Sequence, residues 1–548
     1  MTATLEPRGA VLDTQPAGDI RGALGTIRLD DASPRRGASA YLKTLLAIVG
    51  PGLIVMVGDN DAGAFATYGQ AGQDYGTRLL WTLLLLVPVL YVTQEMVLRL
   101  GAVTGVGHAR LIMERFGKFW GAFSVIDLFI LNALTIITEF IGIALAAGYL
   151  GVPKGVAVAL AALVIIGAAF TGSFRRFERM AMILCGGSLL LIPVYFISHP
   201  AASQMARGFV TPVMPGGSGQ LATVMLLVIG IVGTTVAPWQ LFFQQSYVID
   251  KRITPRFIRY EKADQWIGIV VVVLGAGAIM GFTAAAFTGH AGHFTNAADL
   301  AAGLQAHAGR VAGVLFAVAL LDASIIGAFA VSLSSAYAVG DVLGMKHSLD
   351  RGVGQAKGFY ALYAALICAA ATIVLIPGSP LGLITEGVQV LAGLLLPVAT
   401  VFLLLLCNDR AVLGPWVNSR KTNAFTGAVI TVLITLSVVL TASVPFPGIT
   451  AAQIMMIMAC CVSAALALGV WLGVRGLRQR ARRDGTAPAV ATAGDRADRM
   501  MWRMPPLGEL PTPVIAGARR AGLIALSCYL AIAMILVVVK VVLMAIGH

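Results

Sequence analysis

Residues 50–63 read GPGLIVMVGDNDAG, and this stretch decides the fold. It interrupts an apolar run of helical length, because glycine and proline at 50–52 and the polar group at 58–61 break the pattern. A second interruption, GIVGTTVAPWQ at 230–240, divides another apolar run. Either break alone is often no more than a kink. Their occurrence in two runs predicts two broken helices.

The composition places these runs in a membrane. The 548 residues are 58% hydrophobic and 12% charged, and the mean hydropathy of +0.85 excludes a soluble fold. A helix that spans the bilayer needs about 20 apolar residues. Thirteen such runs are predicted, approximately at 43–73, 78–98, 121–149, 154–172, 179–198, 219–247, 264–288, 310–342, 358–376, 380–407, 424–443, 451–474 and 521–546.

The net charge of +13 does not indicate nucleic-acid binding, because the basic residues are spread over the loops between predicted helices. With the N-terminus in the cytoplasm, all but five of the 39 Lys and Arg residues lie on the cytoplasmic side. The exceptions are Arg78, Lys154, Arg207, Arg310 and Lys540. The positive-inside rule therefore predicts a multi-pass protein of the cell (inner) membrane with a cytoplasmic N-terminus.

The two broken helices are the first and the sixth, which is the spacing of two five-helix units that repeat with inverted topology. Such a fold brings both breaks to one site at the membrane midplane. Asp59 and Asp61 lie in the first break, and each buried charge costs at least about 2.5–3.5 kcal/mol. Two carboxylates so close together require compensation, and a bound cation supplies it.

The predicted fold class is an all-α polytopic membrane protein with a 5+5 inverted-repeat transporter fold and 12–13 transmembrane helices. The six cysteines have no CxxC spacing and are interpreted as small apolar residues. The predicted regions are a disordered cytoplasmic tail at 1–40, five-helix repeats at 41–200 and 201–410, helices 11 and 12 at 411–475, a basic cytoplasmic loop at 476–520, and a further helix at 521–548.

Several short motifs resemble the NRAMP metal transporters. Gly50-Pro51-Gly52 with Asp61-Ala62-Gly63-Ala64 is similar to the GPG and DPGN of that family's helix 1, and Ala237-Pro238-Trp239 stands where the family has Met-Pro-His. The stretch 138–142, TEFIG, resembles the family's glutamate-containing segment, and Gln389 and Pro397 have its helix 10 spacing. The resemblance covers about residues 40–475.

The resemblance implies a metal site. Asp61 matches the family's metal-binding aspartate, the carbonyls of Gly58 and Thr234 match its backbone ligands, and Gln389 matches the glutamine that closes onto the ion. Three positions depart from the family pattern. Ala64 replaces an asparagine ligand, Ala237 replaces a methionine ligand, and Asp59 is an additional carboxylate.

These departures predict a hard ion. A thioether favours softer transition metals, whereas carboxylates, carbonyls and water suit magnesium, calcium and manganese. Magnesium keeps several waters, so a wider and sulfur-free site fits it. The sequence most resembles the NRAMP-related magnesium transporters.

The resemblance also bears on proton coupling. Ile136 stands where the proton-coupled members have a helix 3 aspartate, and Trp239 replaces their histidine. Glu139 is either a remnant of the relay or a structural carboxylate. Gln240 follows the second break and either lines the path or bonds a neighbouring helix. Uncoupled flux is the expectation.

The resulting hypothesis is magnesium transport, with manganese as a further substrate, by uncoupled alternating access. The first alternative is a proton-coupled manganese or transition-metal importer of the NRAMP type. A sodium-coupled amino-acid carrier is a further alternative, although Asp59 and Asp61 would repel a substrate carboxylate. No enzyme motif is present, so no enzymatic activity and no cofactor are expected. The expected partners are the divalent ion and the lipid bilayer.

Overall fold

The protein is described by a computed structural model over residues 18–31, 35, 37–215, 221–287, 297–377, 381–443, 450–481 and 502–511, with 524, 528 and 535. Strands β1 (Ile20–Arg21) and β2 (Thr26–Ile27) pair antiparallel. The helices are α1 (Ala38–Ile48), α2 (Pro51–Asp59), α3 (Ala62–Tyr75), α4 (Leu80–Thr104), α5 (His108–Phe116), α6 (Lys118–Tyr149), α7 (Lys154–Ala169), α8 (Phe174–Gly187), α9 (Leu191–Ser198), α10 (Ala202–Val210), α11 (Leu221–Thr235), α12 (Pro238–Asp250), α13 (Ile258–Phe287), α14 (Ala297–Ala308), α15 (Arg310–Leu343), α16 (Lys357–Leu375), α17 (Leu381–Cys407), α18 (Arg410–Leu413), α19 (Arg420–Ser443) and α20 (Ala451–Ala481).

The described helices confirm the all-α membrane class. Within those ranges, ten helical spans are long and apolar enough to cross a membrane, and α1 with α2 forms an eleventh when the bent pair counts as one span. The shorter α7 is also apolar. The predicted thirteenth span, 521–546, lies outside the described residues except at three positions.

The predicted first helix, 43–73, consists of three helices. α1 and α2 meet at an angle of 57°. Gly50 between them has a φ of 151°, a conformation that glycine adopts far more readily than other residues. Pro51 then occupies the first position of α2, where its missing N–H costs no helical hydrogen bond. A second break, at residues 60–61, separates α2 from α3.

The sixth predicted helix is also broken. α11 ends at Thr235, and α12 begins at Pro238. Residues 236–237 connect the two halves. Proline again occupies the first position of the second half, since its ring cannot continue a helix from the preceding turn. Both predicted broken helices are thus confirmed.

The broken helices lie at the centre of the molecule. α2 and α3 pack against α13, α11 packs against α17, and α6 packs along α15. Small residues allow this close approach. A Cβ on Gly233 would lie only 2.3 Å from the backbone oxygen of Gln389. Among the described spans, Thr223–Asp250 is the most buried and Ala452–Trp471 the least, so the outermost helix faces the lipid.

Two segments differ from the sequence predictions. Residues 18–31, within the predicted disordered tail, form the β1–β2 hairpin, and its Ile20 and Ile27 are buried. In the predicted loop 476–520, α20 continues to Ala481, and part of 502–511 packs on the protein, with Met504 buried. Both segments are rich in residues typical of loops. Their order comes from contacts with distant parts of the chain, which composition does not reveal.

Candidate functional site

The structure brings together the break between α2 and α3 and the break between α11 and α12. The hydroxyl groups of Tyr68 on α3 and Thr235 on α11 are 2.7 Å apart. The indole of Trp239, in the first turn of α12, lies 3.5 Å from where a Cβ on Gly58 would be. The end of α2, the start of α3 and both halves of the sixth helix therefore surround one buried region.

Two carboxylates lie in this region. Asp59 is the last residue of α2 and Asp61 immediately precedes α3; both are almost fully buried. Asp61 Oδ1 accepts a hydrogen bond of 2.9 Å from the N–H of Ala64, which caps α3. Asp59 Oδ1 accepts one from the Gln240 amide, while Asp59 Oδ2 has no hydrogen-bond partner among the described residues. A buried, unpaired carboxylate oxygen is costly unless a ligand meets it.

The helix breaks also release backbone carbonyls. In a continuous helix the Thr234 carbonyl would accept from residue 238, but Pro238 has no N–H. The Gly58 carbonyl would likewise accept from the N–H of Ala62, which instead donates to Glu139 Oε2 at 3.1 Å. Both carbonyls therefore lack their usual helical donor, as the family resemblance requires of backbone ligands.

Gln389 on α17 lies against the start of α3. A Cβ on Gly63 would lie 1.7 Å from Gln389 Nε2, so only glycine permits this approach. That amide nitrogen is buried and has no hydrogen-bond partner in the described part of the chain. Ala64 and Ala237 are buried in the first turn of α3 and just before α12, and neither methyl group can bind an ion.

A chain of two glutamines leads to Asp59. Gln94 Nε2 on α4 donates to Gln240 Oε1 at 3.0 Å, and Gln240 Nε2 donates to Asp59 Oδ1. An ionised carboxylate only accepts hydrogen bonds, so it requires the Gln240 amide nitrogen to face it. The oxygen of Gln240 then faces Gln94. The sequence left two roles open for Gln240, lining the path or bonding a neighbouring helix. The structure contains the second: Gln240 is hydrogen-bonded to Gln94 on α4, and it is also bonded to Asp59.

Glu139 on α6 lies beside Asp61. A Cβ on Gly327 would be 2.8 Å from Glu139 Cδ and 3.0 Å from Asp61 Cβ, so this glycine makes room for both acidic side chains. Glu139 Oε2 also accepts the N–H of Ala62, and Glu139 Oε1 has no partner among the described groups. Glu139 therefore combines a structural contact at α3 with a position next to an acidic site residue.

The positions of the family's proton relay hold apolar side chains. Ile136 and Trp239 are buried, and Trp239 packs edge-on to Phe243. The buried His108 is on the short α5, with Nδ1 2.9 Å from Gln245 Oε1. Burial lowers the pKa of His108 to about 4, although the bond to Gln245 partly opposes this shift. Its imidazole is consequently neutral near pH 7.

Within the described ranges, no group of three or more His, Cys, Asp or Glu side chains is arranged to hold a metal ion. A cation at the breaks would therefore depend on Asp59 and Asp61 together with carbonyl and amide oxygens. Such all-oxygen surroundings suit hard divalent ions.

Comparison with protein families identifies the group to which the chain is related. Residues 52–443 match the family model described as Nramp, natural resistance-associated macrophage protein-like. The chain belongs to the Nramp family. The match includes the breaks at residues 60–61 and 236–237, together with Glu139 and Gln389.

Two curated relatives of this Nramp chain are named divalent metal cation transporter MntH. The protein from Ralstonia nicotianae is 32% identical over 402 residues, which cover 70% of this chain and 87% of the relative. The protein from Burkholderia ambifaria is 29% identical over 454 residues, covering 76% and 94%. The chain thus spans most of each relative.

A solved structure shares the fold. The Eremococcus coleocola manganese transporter, in complex with an aromatic bis-isothiourea substituted compound, has a TM-score of 0.61. The identity is 20%, and the alignment covers 81% of this chain and 98% of that one. Together with the two broken helices, this likeness confirms the predicted transporter fold class.

Gln94 and three residues near the start of α2 are absent from the sequence predictions. Asp264 Oδ2 on α13 accepts the N–H groups of Gly50 at 3.1 Å and Gly52 at 2.7 Å. Lys251 and Glu178 form a fully buried ion pair of 2.7 Å beside them. The available signal was the presence of charged residues at the ends of apolar runs, but their partners are distant in sequence.

Proposed function

We propose that this protein transports divalent metal ions across the membrane. The observation that carries the proposal is the pair of buried carboxylates, Asp59 and Asp61, between two broken helices, where one oxygen of Asp59 has no partner among the described residues. A dication would neutralise the two charges and replace the missing partner. The names of the Nramp relatives agree with this activity.

Manganese is the first substrate that we propose, because two relatives are named MntH and the similar solved structure is a manganese transporter. These comparisons favour the proton-coupled alternative over the initial hypothesis of uncoupled magnesium uptake. Glu139 is the candidate proton carrier. It adjoins Asp61, and two neighbouring buried carboxylates can be relieved by either a proton or a cation.

Magnesium is the second candidate. The specific observation in its favour is the absence of sulfur and amide ligands at Ala237 and Ala64, which leaves room for ion-bound water. Ile136 and Trp239 also lack titratable groups, which favours uncoupled flux. Magnesium and manganese both accept oxygen ligands, so one site can serve both.

The test is uptake by the purified protein in proteoliposomes that contain a pH dye. Mn²⁺, Mg²⁺, Ca²⁺ and Cd²⁺ are offered separately and in competition. We expect Mn²⁺ uptake with acidification of the lumen, which Glu139→Gln abolishes. Mg²⁺ uptake without acidification would favour the second candidate. The absence of flux for all four ions would refute the proposal.

The amino-acid carrier has less support. A substrate carboxylate would meet Asp59 and Asp61, and the described residues around them include no cationic side chain hydrogen-bonded to either. The Nramp relatives are named for metal transport, not for enzymatic activity. We also propose that the protein lies in the cell (inner) membrane. The distribution of Lys and Arg places its N-terminus and α1 on the cytoplasmic side.

A further inference from the structure

The β1–β2 hairpin (residues 18–31) is fastened to the end of the molecule that we assign to the cytoplasm. Its own Ile20, Ala23 and Ile27 are buried. Gly22 and Gly25 contact α1 so closely that a Cβ on either would lie 2.0 Å and 2.9 Å, respectively, from atoms of Ala47. The hairpin is therefore seated directly on the last turn of α1.

Beneath the hairpin lies the buried ion pair. Glu178 Oε1 accepts from Lys251 Nζ at 2.7 Å, and Glu178 Oε2 accepts the N–H of Ala23 at 2.6 Å. Lys251 also donates to the carbonyls of Ile48 at 2.6 Å and Val49 at 3.0 Å. The hairpin thus supplies the last hydrogen bond to a network that holds the junction between α1 and α2.

Arginine side chains from other parts of the chain donate hydrogen bonds to the backbone of the hairpin. Arg179 Nε donates to the carbonyl of Ala23 at 3.1 Å, and Arg256 donates to the carbonyl of Asp31 at 2.7 Å. These contacts use the hairpin backbone and a few small apolar side chains.

The hairpin covers the element that must move. Asp59 ends α2, and the nine residues of α2 separate it from the cytoplasmic face. In transporters with broken helices, alternating access requires elements around the midplane site to change position. Because α2 begins at the Gly50 junction, any outward movement of its first turn is opposed by Lys251, Glu178 and the hairpin above them.

We propose that the hairpin is a cytoplasmic plug, which must detach from Ala47 and Glu178 before the ion can leave toward that face. The plug favours the closed state, and its release permits α2 to move. The proposal rests on the transport function proposed above.

The test is a cross-link between the hairpin and α1. Gly25 and Ala47 are suitable because the Cβ of Ala47 lies 2.9 Å from a Cβ on Gly25, and a shift of about 1 Å gives the separation of a disulfide. The full-length chain carries Gly25→Cys and Ala47→Cys, with the exposed native cysteines replaced by serine. Oxidation should reduce Mn²⁺ uptake to the protein-free background, and a reductant should restore it.

The matched control cross-links the hairpin only to itself. Arg21 and Thr26 are opposite residues of β1 and β2, so Arg21→Cys with Thr26→Cys closes the hairpin without tying it to α1. Its uptake should be equal before and after oxidation. Undiminished uptake by the cross-linked Gly25–Ala47 variant would overturn the plug. Absence of uptake by the reduced and native proteins would instead refute the transport function.

A second variant releases the plug. In Gly22→Val, the new Cβ would lie 2.0 Å from the backbone oxygen of Ala47. This clash should push the hairpin away from α1. A cysteine introduced by Ala47→Cys should then react with a thiol reagent about tenfold faster, as expected for loss of a charged hydrogen bond. Mn²⁺ uptake should rise. Faster labelling with lower uptake, in protein that remains monodisperse, would contradict the proposed role.

Discussion

The two ends of α2 are held in opposite ways. At its start, both oxygens of Asp264 accept backbone N–H groups, from Gly50 and Gly52 on one oxygen and from Leu53 on the other. At its end, Asp59 accepts one bond from Gln240, and its other oxygen has no partner in the part of the chain that the structure describes. Both carboxylates are buried, and within the described ranges both oxygens of Asp264 have partners whereas one oxygen of Asp59 has none.

This contrast separates structural acids from candidate ligands. A fully hydrogen-bonded carboxylate at a helix start stabilises the helix through the exposed N–H groups and the dipole. A carboxylate that keeps a free oxygen in a buried site raises the free energy of the empty protein and is compensated when a cation arrives. The start of α2 is thus an anchor, and its end carries the ion-binding site that we propose.

The largest expected effect is on the anchored end. Lys251→Met leaves Glu178 buried without its countercharge, and the free energy of unfolding should fall by about 3–5 kcal/mol. Denaturation in detergent measures it. Adding Glu178→Gln should recover part of the loss, because no unpaired charge remains. An unchanged stability for Lys251→Met would show that the anchor is not energetically important.

The next effect concerns the opposite end. Asp61→Ala should lower Mn²⁺ uptake at least about 100-fold, because one of the two charges that neutralise the ion is lost. Its free energy of unfolding should fall by only about 1 kcal/mol, from loss of the α3 cap, in contrast to Lys251→Met. Asp59→Ala should cost less if it acts through water. Normal uptake by folded Asp61→Ala would exclude this site.

Selectivity gives a smaller effect. Ala64→Asn with Ala237→Met adds an amide oxygen and a thioether while removing room for water. The ratio of Cd²⁺ to Mg²⁺ affinity should rise about tenfold or more. Calorimetry on the double variant must be compared with both single variants, since the two residues would touch one ion. An unchanged ratio would place the ion elsewhere than between α3 and α12.

The smallest effect belongs to Gln94. Gln94→Leu removes the partner of Gln240 Oε1, so Gln240 holds Asp59 less firmly, and ion affinity should fall roughly fivefold. In an Asp59→Asn background the same substitution should change nothing further. A matched control is Asn132→Ala, which removes a buried amide bonded to Ser335 and unconnected to Asp59. Equal losses in both backgrounds would indicate a purely structural role for Gln94.

The sequence predicted the parts of the fold that depend on local signals. Glycine and proline mark the breaks at Gly50 and Pro238, and carboxylates in an apolar run mark Asp59 and Asp61. The predictions missed contacts between distant residues. Glu178 and Lys251 are 73 residues apart, and Ala23 is 155 residues from Glu178. The local sequence of residues 18–31 contains no signal for a contact with Glu178. The segment was therefore predicted to be disordered from its composition alone.

Pro238 has a kinetic consequence. In an ordinary helix a backbone carbonyl accepts a hydrogen bond from the N–H four residues later. Such a carbonyl could bind an ion only after that bond breaks, and the bond would form again when the ion leaves. The Thr234 carbonyl never has a helical donor, because residue 238 has no N–H in any conformation. In the transport function that we propose, entry and departure of an ion at this oxygen therefore break no α-helical hydrogen bond.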